Sequence, residues 1–222
     1  MVCSESGIEL NMGELSEVVW CDDRLIVVDK PAGVLSVPGR GADKQDCLSA
    51  RVQREYADAL VVHRLDMATS GLFLMARGAL AQRSLSLAFA GREVRKRYVA
   101  LVMGRMPENE GEIDMPLIAD WPNRPRQKVD HDIGKPSRTL WRVIAFDPAS
   151  DTTRVELEPI TGRSHQLRVH LMAMGHPILG DALYAPQAVQ DRATRLMLHA
   201  THLELAHPFS GKVLQFRSDP PF

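Results

Sequence analysis

Between residues 60 and 75 the chain runs apolar, then polar, then apolar. Leu60-Val61-Val62 and Leu72-Phe73-Leu74-Met75 read as two short buried strands. The nine residues between them are His63-Arg64-Leu65-Asp66-Met67-Ala68-Thr69-Ser70-Gly71. A His, an Arg, an Asp, a Thr and a Ser are thus packed into one turn between buried strands. A carboxylate in such a turn must stay solvated or keep a partner, because burying it alone is too costly. Loops held by a rigid scaffold are where reactive groups usually sit. Taken singly, the same residues are ordinary turn formers, and His-Arg beside Asp is an ordinary local ion pair.

A chain of 222 residues makes one large domain or two small ones. Its 45% hydrophobic content supplies a sizeable core. No apolar run approaches a membrane span. Met1-Val2-Cys3-Ser4-Glu5 lacks a basic region followed by an apolar stretch, so no secretory signal is expected. Its acidity argues against a transit peptide. Cys3, Cys21 and Cys47 lie far apart with no Cys-x-x-Cys pair, as for reduced thiols in a cytoplasmic protein.

The net charge of -1 hides an asymmetry. Residues 1–23 carry Glu5, Glu9, Glu14, Glu17, Asp22 and Asp23 and no Lys or Arg. All 27 bases therefore lie beyond them, against the remaining 22 of the 28 acids. The bases cluster at Arg92, Arg95, Lys96 and Arg97, and again at Arg124, Arg126 and Lys128. Such runs are either solvated surface or contacts for phosphates.

Taken in order, residues 1–16 lack periodicity and are expected to form a flexible tail. Residues 17–21 and 25–29 read as strands joined by Asp22-Asp23-Arg24. Lys30-Pro31-Ala32-Gly33 and Ser36–Gly41 force a looping path. Asp46 is placed to cap a helix reaching Tyr56, with Leu48 and Val52 inside. A second helix is expected over 79–90, with Leu80, Ser84, Leu87 and Ala88 as its apolar stripe and Gly91 at its end. The second half of 93–103 reads as a strand. Tyr98 in it reads by itself as a core or cross-strand packing residue. Residues 104–137 have weak periodicity. Within them, residues 120–128 read as a surface connector or as an ordered basic loop. Residues 140–146 and 153–157 read as paired strands.

A second informative stretch is Thr161-Gly162-Arg163-Ser164-His165-Gln166-Leu167-Arg168-Val169-His170-Leu171. Thr161 or Ser164 is expected to cap a helix that Gly175 ends. Leu167, Leu171 and Met174 would form its core stripe, with His165 and Arg168 on a flank.

Several chemistries lack their signatures. There is no phosphate-cradling Gly-rich loop and no dinucleotide fingerprint. Ala68 breaks the Gly-x-Ser-x-Gly elbow around Ser70. No His-Glu-x-x-His run or cysteine cluster supports zinc, and the deaminase pattern is missing. No metal and no organic cofactor is expected.

The string His63-Arg64-Leu65-Asp66-x-x-Thr69-Ser70-Gly71 resembles the catalytic signature of the RluA-type pseudouridine synthases. Lys30-Pro31-x-Gly33 is similar to the family's first motif, although Asp29 stands where many members have Asn. Lys96-Arg97-Tyr98-Val99 resembles the motif whose Tyr stacks on the target base. Gly162-Arg163-x-His165-Gln166-Leu167-Arg168-x-His170 resembles the third. Gly175–Asp181 and Leu198-His199-Ala200 continue the likeness, which covers nearly the whole chain after the tail.

The resemblance implies a mixed α/β (α+β) fold with a mostly antiparallel central sheet, flanking helices and a central cleft. It implies one catalytic domain over 17–222 with no S4-type RNA-binding domain. The implied reaction isomerises uridine in structured RNA to pseudouridine, without cofactor. Asp66 is the implied catalytic residue, with Tyr98 against the base and Arg168 paired to the carboxylate. Arg64 would fill the space of the flipped base. His63, Thr69, Arg163, His165, Arg95, Lys96, Arg124 and Arg126 complete the expected substrate contacts. Likeness to the family's short members implies action on both a 23S rRNA hairpin and a tRNA anticodon loop, by a cytoplasmic monomer. Two other readings stand beside this one. The first is a non-catalytic RNA-binding or ribosome-assembly factor on the same scaffold, which would not need Asp66, Tyr98 and Arg168 together. The second is a cofactor-free hydrolase using Asp66, for which no base or oxyanion partner is recognisable.

Overall fold

The structure is a computed structural model that describes residues 17–222. The tail expected over 1–16 lies outside the described residues. The chain opens with β1 (Val18–Cys21), β2 (Leu25–Lys30), α1 (Leu48–Glu55), β3 (Ala59–Val61), β4 (Ser70–Arg77) and α2 (Ala79–Ala90). It continues through β5 (Arg95–Met103), β6 (Glu110–Asp114), β7 (Leu117–Ala119), β8 (Gln127–Val129), β9 (Arg138–Asp147) and β10 (Thr152–Pro159). It ends with α3 (Gln166–Ala173), α4 (Gln187–Gln190), β11 (Leu198–Ala206) and β12 (Val213–Arg217). The class is mixed α/β with antiparallel strand pairing, as expected. Among the described residues no helix is long and apolar enough to cross a membrane. The chain divides into two compact units, one ending at Arg95 and regaining His202–Asp219, the other Lys96–Thr201 with Pro220–Phe222.

In the first unit β4 is buried along almost its whole length. It pairs antiparallel with β2, from Leu25↔Ala76 to Lys30↔Gly71, and with β3 through Val61↔Met75. Leu25 and Val27 alternate onto one face with Leu72, Leu74 and Ala76, and meet Ala81 and Leu85 of α2. Val94, Leu203, Leu205 and Phe216 complete this cluster. The expected stripe on α2 is corrected: Leu80 and Leu87 are 72% and 64% exposed. The helix buries Ala81 and Leu85, with Ala88 and Phe89 packed behind them. Both stripes are apolar, so the period alone does not decide which one meets the sheet. Asp46 does not cap α1 either. Its carboxylate accepts two bonds from Arg51, at 2.8 and 2.6 Å, which hold its pKa below the usual carboxylate range.

The second unit contains the antiparallel ladder β5–β10–β9–β6, anchored by Leu157↔Tyr98, Leu157↔Trp141 and Gly111↔Trp141. The β7–β8 hairpin adds Ala119↔Gln127. Strands β6, β7 and β8 fall within residues 104–137, where the periodicity is weak. At three to five residues each, broken by Pro and Gly, they are too short to show a period.

Helix α3 is buried continuously from Gln166 to Leu171, so it has no flank on which Arg168 snorkels. Neither Thr161 nor Ser164 caps it; the N-cap position is His165, in the left-handed region at φ 54. Thr161 Oγ1 instead donates to Gln166 Oε1 at 2.7 Å. Gln166 Nε2 donates to the Arg138 carbonyl and to Thr139 Oγ1. Thr139 Oγ1 lies 3.0 Å from His170 Nδ1, and His170 Nε2 lies 3.0 Å from the Met115 carbonyl. The carbonyl can only accept, so His170 carries its proton on Nε2, and its Nδ1 accepts a hydrogen bond from the Thr139 hydroxyl.

Burial pushes the His170 imidazole below its ordinary pKa of 6.5, against the opposing pull of Met115 and Asp114. The unfolded chain takes up the proton first. The stabilisation is therefore fully present above pH 6.5 and lost as pH falls from there through the depressed folded value. Urea denaturation at pH 7.5 and 5.5 is expected to show lower stability at the acid end. His170→Gln is expected to shrink that difference; an unchanged difference would remove His170 from the acid response.

Candidate active site

The turn between β3 and β4 is held from below by the segment that follows β2. Lys30 is fully buried at the end of β2. Its ammonium donates to the carbonyls of Pro31 (2.9 Å), Val34 (2.7 Å) and Met67 (3.0 Å). Three donors thus find three acceptors, which is what makes a buried ammonium tolerable. Gly33, at φ 85, donates its N–H to the same Met67 carbonyl at 2.8 Å. Ser36 Oγ donates to the Leu65 carbonyl at 2.7 Å and accepts the Leu65 N–H at 3.1 Å. Leu65 and Met67 are therefore both fixed, and Asp66 stands between them. The Asp66 carbonyl accepts the Thr69 N–H at 3.1 Å, closing the turn.

The side chains of the turn divide by exposure. Leu65, Thr69 and Ser70 are buried, Asp66 is half-buried, and Arg64 and Met67 are exposed. His63 is packed at the root of the turn. Its Nε2 accepts the Leu74 N–H at 2.9 Å, so its proton sits on Nδ1. Its ring stacks on Phe89 at 4.6 Å and tilts against Phe73 at 5.0 Å. The result is a half-buried carboxylate on a rigid backbone with an exposed guanidinium two residues away.

In the second unit, strand alternation puts Lys96 and Tyr98 on one face of β5 and Arg97 on the other. Burial pushes the Lys96 ammonium below its ordinary pKa. Arg97 is engaged by Glu158 at 3.7 Å and Glu156 at 3.9 Å. Arg95, at the first unit's end, pairs with Glu204 at 3.6 Å and remains largely exposed.

Arg168 is 4% exposed. Its Nε and Nη2 donate to the two carboxylate oxygens of Asp181, at 2.8 and 2.6 Å. Asp181 Oδ1 also accepts the N–H groups of Leu183 and Tyr184, and the Tyr184 ring lies 5.0 Å from the guanidinium carbon. Gly180 is required before Asp181, since a Cβ there would lie 1.9 Å from the Arg195 carbonyl oxygen. Tyr184 Oη accepts the Gln127 N–H at 2.8 Å and is hydrogen-bonded to His165 Nδ1 at 2.6 Å. Arg163 Nε donates to the Pro136 carbonyl at 3.3 Å. Arg124 stacks over Trp121, and Arg126 is exposed beside it.

Sequence reasoning gave no role to Lys30, Ser36, Asp181 or Tyr184. For Asp181 and Tyr184 the Gly-Asp-x-x-Tyr run was the available signal, but nothing in it names Arg168 as the partner.

Residues 24–173 match the model of the RNA pseudouridylate synthase family. The chain belongs to that family and is an RNA pseudouridine synthase. The dual-specificity RNA pseudouridine synthase RluA of Escherichia coli K12 is 49% identical over 205 residues, covering 92% of this chain and 93% of that one. The RluA of Pasteurella multocida is 48% identical over 206 residues, with 93% and 94% covered. Among solved structures, human RNA pseudouridylate synthase domain containing 1 superposes with a TM-score of 0.80 at 30% identity, covering 97% of this chain and 87% of that one.

Removing one partner of a buried pair costs roughly 3–5 kcal/mol. Asp181→Asn keeps the shape and removes the charge beside Arg168. It is expected to lower unfolding free energy by about that amount in urea titration. A loss under about 1 kcal/mol would show that the pair is not the anchor of Arg168.

Proposed function

We propose that the protein converts uridine to pseudouridine in two structured RNAs, a 23S rRNA hairpin and a tRNA anticodon loop. It does so in the cytoplasm, as a monomer, without metal or organic cofactor. The observation that carries this is the Asp66 turn, whose flanking carbonyls are clamped by Lys30, Gly33 and Ser36. The two-RNA substrate range is supported by near-50% identity to proteins named for dual specificity.

The reaction breaks the C1′–N1 bond, turns the base and forms C1′–C5. C5 loses a proton and N1 gains one, so nothing is oxidised and no group donor is needed. An ionised carboxylate suits this work as nucleophile or proton acceptor, and Asp66 takes that role. The target base must leave its stack at a cost of a few kcal/mol, less in a loop. Exposed Arg64 fills the vacated space. Tyr98 packs against the base, and Arg168, oriented by Asp181, is the third catalytic residue. His63 and Thr69 shape the turn from behind, while Arg163, His165, Arg95, Lys96, Arg124 and Arg126 contact the RNA.

The test is single-turnover conversion of a uridine stem-loop at saturating enzyme. Asp66→Asn is expected to form no measurable product while RNA affinity stays within about threefold, because phosphate contacts set affinity. Product at a near wild-type rate would remove Asp66 from the mechanism. Dialysis against EDTA is expected to leave wild-type turnover intact. Loss restored by magnesium or zinc, with the RNA fold unchanged, would contradict the cofactor-free reading.

A further inference from the structure

The hairpin between β7 and β8 presents a large aromatic side chain to solvent on a backbone that is tied at several points. Trp121 is 67% exposed. Asp120 N–H donates to the Arg126 carbonyl at 2.9 Å, Asn123 N–H to the Asp120 carbonyl at 3.0 Å, and Arg126 N–H to the Asn123 carbonyl at 3.0 Å. Asn123 Nδ2 adds a bond to Asp120 Oδ2 at 2.9 Å. Pro122 and Pro125 remove further backbone freedom. The hairpin is therefore ordered before anything binds it. Its next residue, Gln127, donates its N–H to Tyr184, the residue that also holds His165.

One face of the indole is occupied. The Arg124 guanidinium carbon lies 3.1 Å from the ring centroid. The exposure of the residue leaves the other face open to water. A rigid, half-covered indole with Arg124 on it and exposed Arg126 in the same hairpin offers π-stacking area next to positive charge. That combination suits a nucleobase with its phosphate, since every base has a stacking face and every nucleotide an anion. An arginine can stack on a ring and bind a phosphate at once, because its fork extends in the plane of the guanidinium.

We propose that Trp121 is a base-stacking platform for the substrate RNA. An unstacked base lies on the indole face opposite Arg124, and Arg124 and Arg126 take the neighbouring phosphates. This rests on the RNA-modifying reading above, and adds a contact that positions the RNA apart from the Asp66 turn.

The test uses the full chain and a uridine stem-loop that the wild type binds and converts. Trp121→Ala is expected to weaken RNA binding about tenfold or more, the size of one lost base stack. kcat at saturating RNA is expected to stay within about twofold. Trp121→Phe, which keeps a stacking face, is expected to recover most of the affinity. The dependence of log affinity on log salt is expected to be unchanged in Trp121→Ala, whereas Arg126→Ala flattens it by about one contact. Affinity of Trp121→Ala within twofold of wild type would overturn the proposal. So would a Phe variant no better than Ala, or a Trp121→Ala salt slope flattened like that of Arg126→Ala. A wild type that binds no uridine stem-loop would instead overturn the parent reading, and this one with it.

Discussion

A buried ammonium holds the reactive turn in place. Lys30 sits at the last position of β2, opposite Gly71 in β4, and its three donors join the loop after β2 to the turn before β4. Taking an ammonium out of water costs several kcal/mol, so the site exists only where all three acceptors converge. Hydrogen bonds to a charged group contribute about 1.5–3 kcal/mol each, enough to offset that cost when none is missing. That convergence fixes the backbone at Met67, and Ser36 fixes it at Leu65, so Asp66 is held from both sides. A carboxylate that must meet one carbon of one nucleotide gains from such fixing, because misplacement by about 1 Å can cost on the order of a hundredfold in rate.

The second unit solves a similar problem with opposite charges. Arg168 would be intolerable in a helix buried on all sides without Asp181, and Asp181 is itself steadied by two backbone N–H groups. Gly180 supplies the only backbone that fits ahead of it. The Gln166–Thr139–His170 network then secures the same helix to β9. Polar groups, fully paired, hold α3 where an apolar helix would be free to slide or rotate. The burial of His170 in that network is also why the helix is sensitive to acid.

The sequence shows the reactive turn plainly because it puts five polar side chains between two apolar runs within sixteen residues. The resemblance carried by residues 63–71 and 162–170 then extends to the fold. What holds the turn is hidden. Nothing beside Lys30 in the sequence marks it as buried, and only the path of residues 31–36 encloses it. The Arg168–Asp181 pair joins a helix to a loop thirteen positions on, with no periodicity to connect them. Helix α2 carries two apolar stripes, and only the sheet decides between Leu80/Leu87 and Ala81/Leu85. Strand β11 alternates cleanly only after His202, so it is weak as a pattern and firm as a structure. His63 is legible as part of the motif, but not its packing: its Nε2 accepts the Leu74 amide and its ring lies against Phe73 and Phe89.

The central claim is that Asp66 acts from a backbone that Lys30 holds. The most direct measurement is the single-turnover rate of pseudouridine formation by Lys30→Met at saturating stem-loop RNA, with RNA affinity measured in parallel. Loss of the clamp is expected to slow chemistry about a hundredfold or more while affinity stays within a few-fold, since the basic residues that bind phosphate are untouched. A Lys30→Met enzyme that converts uridine at the wild-type rate would contradict the account.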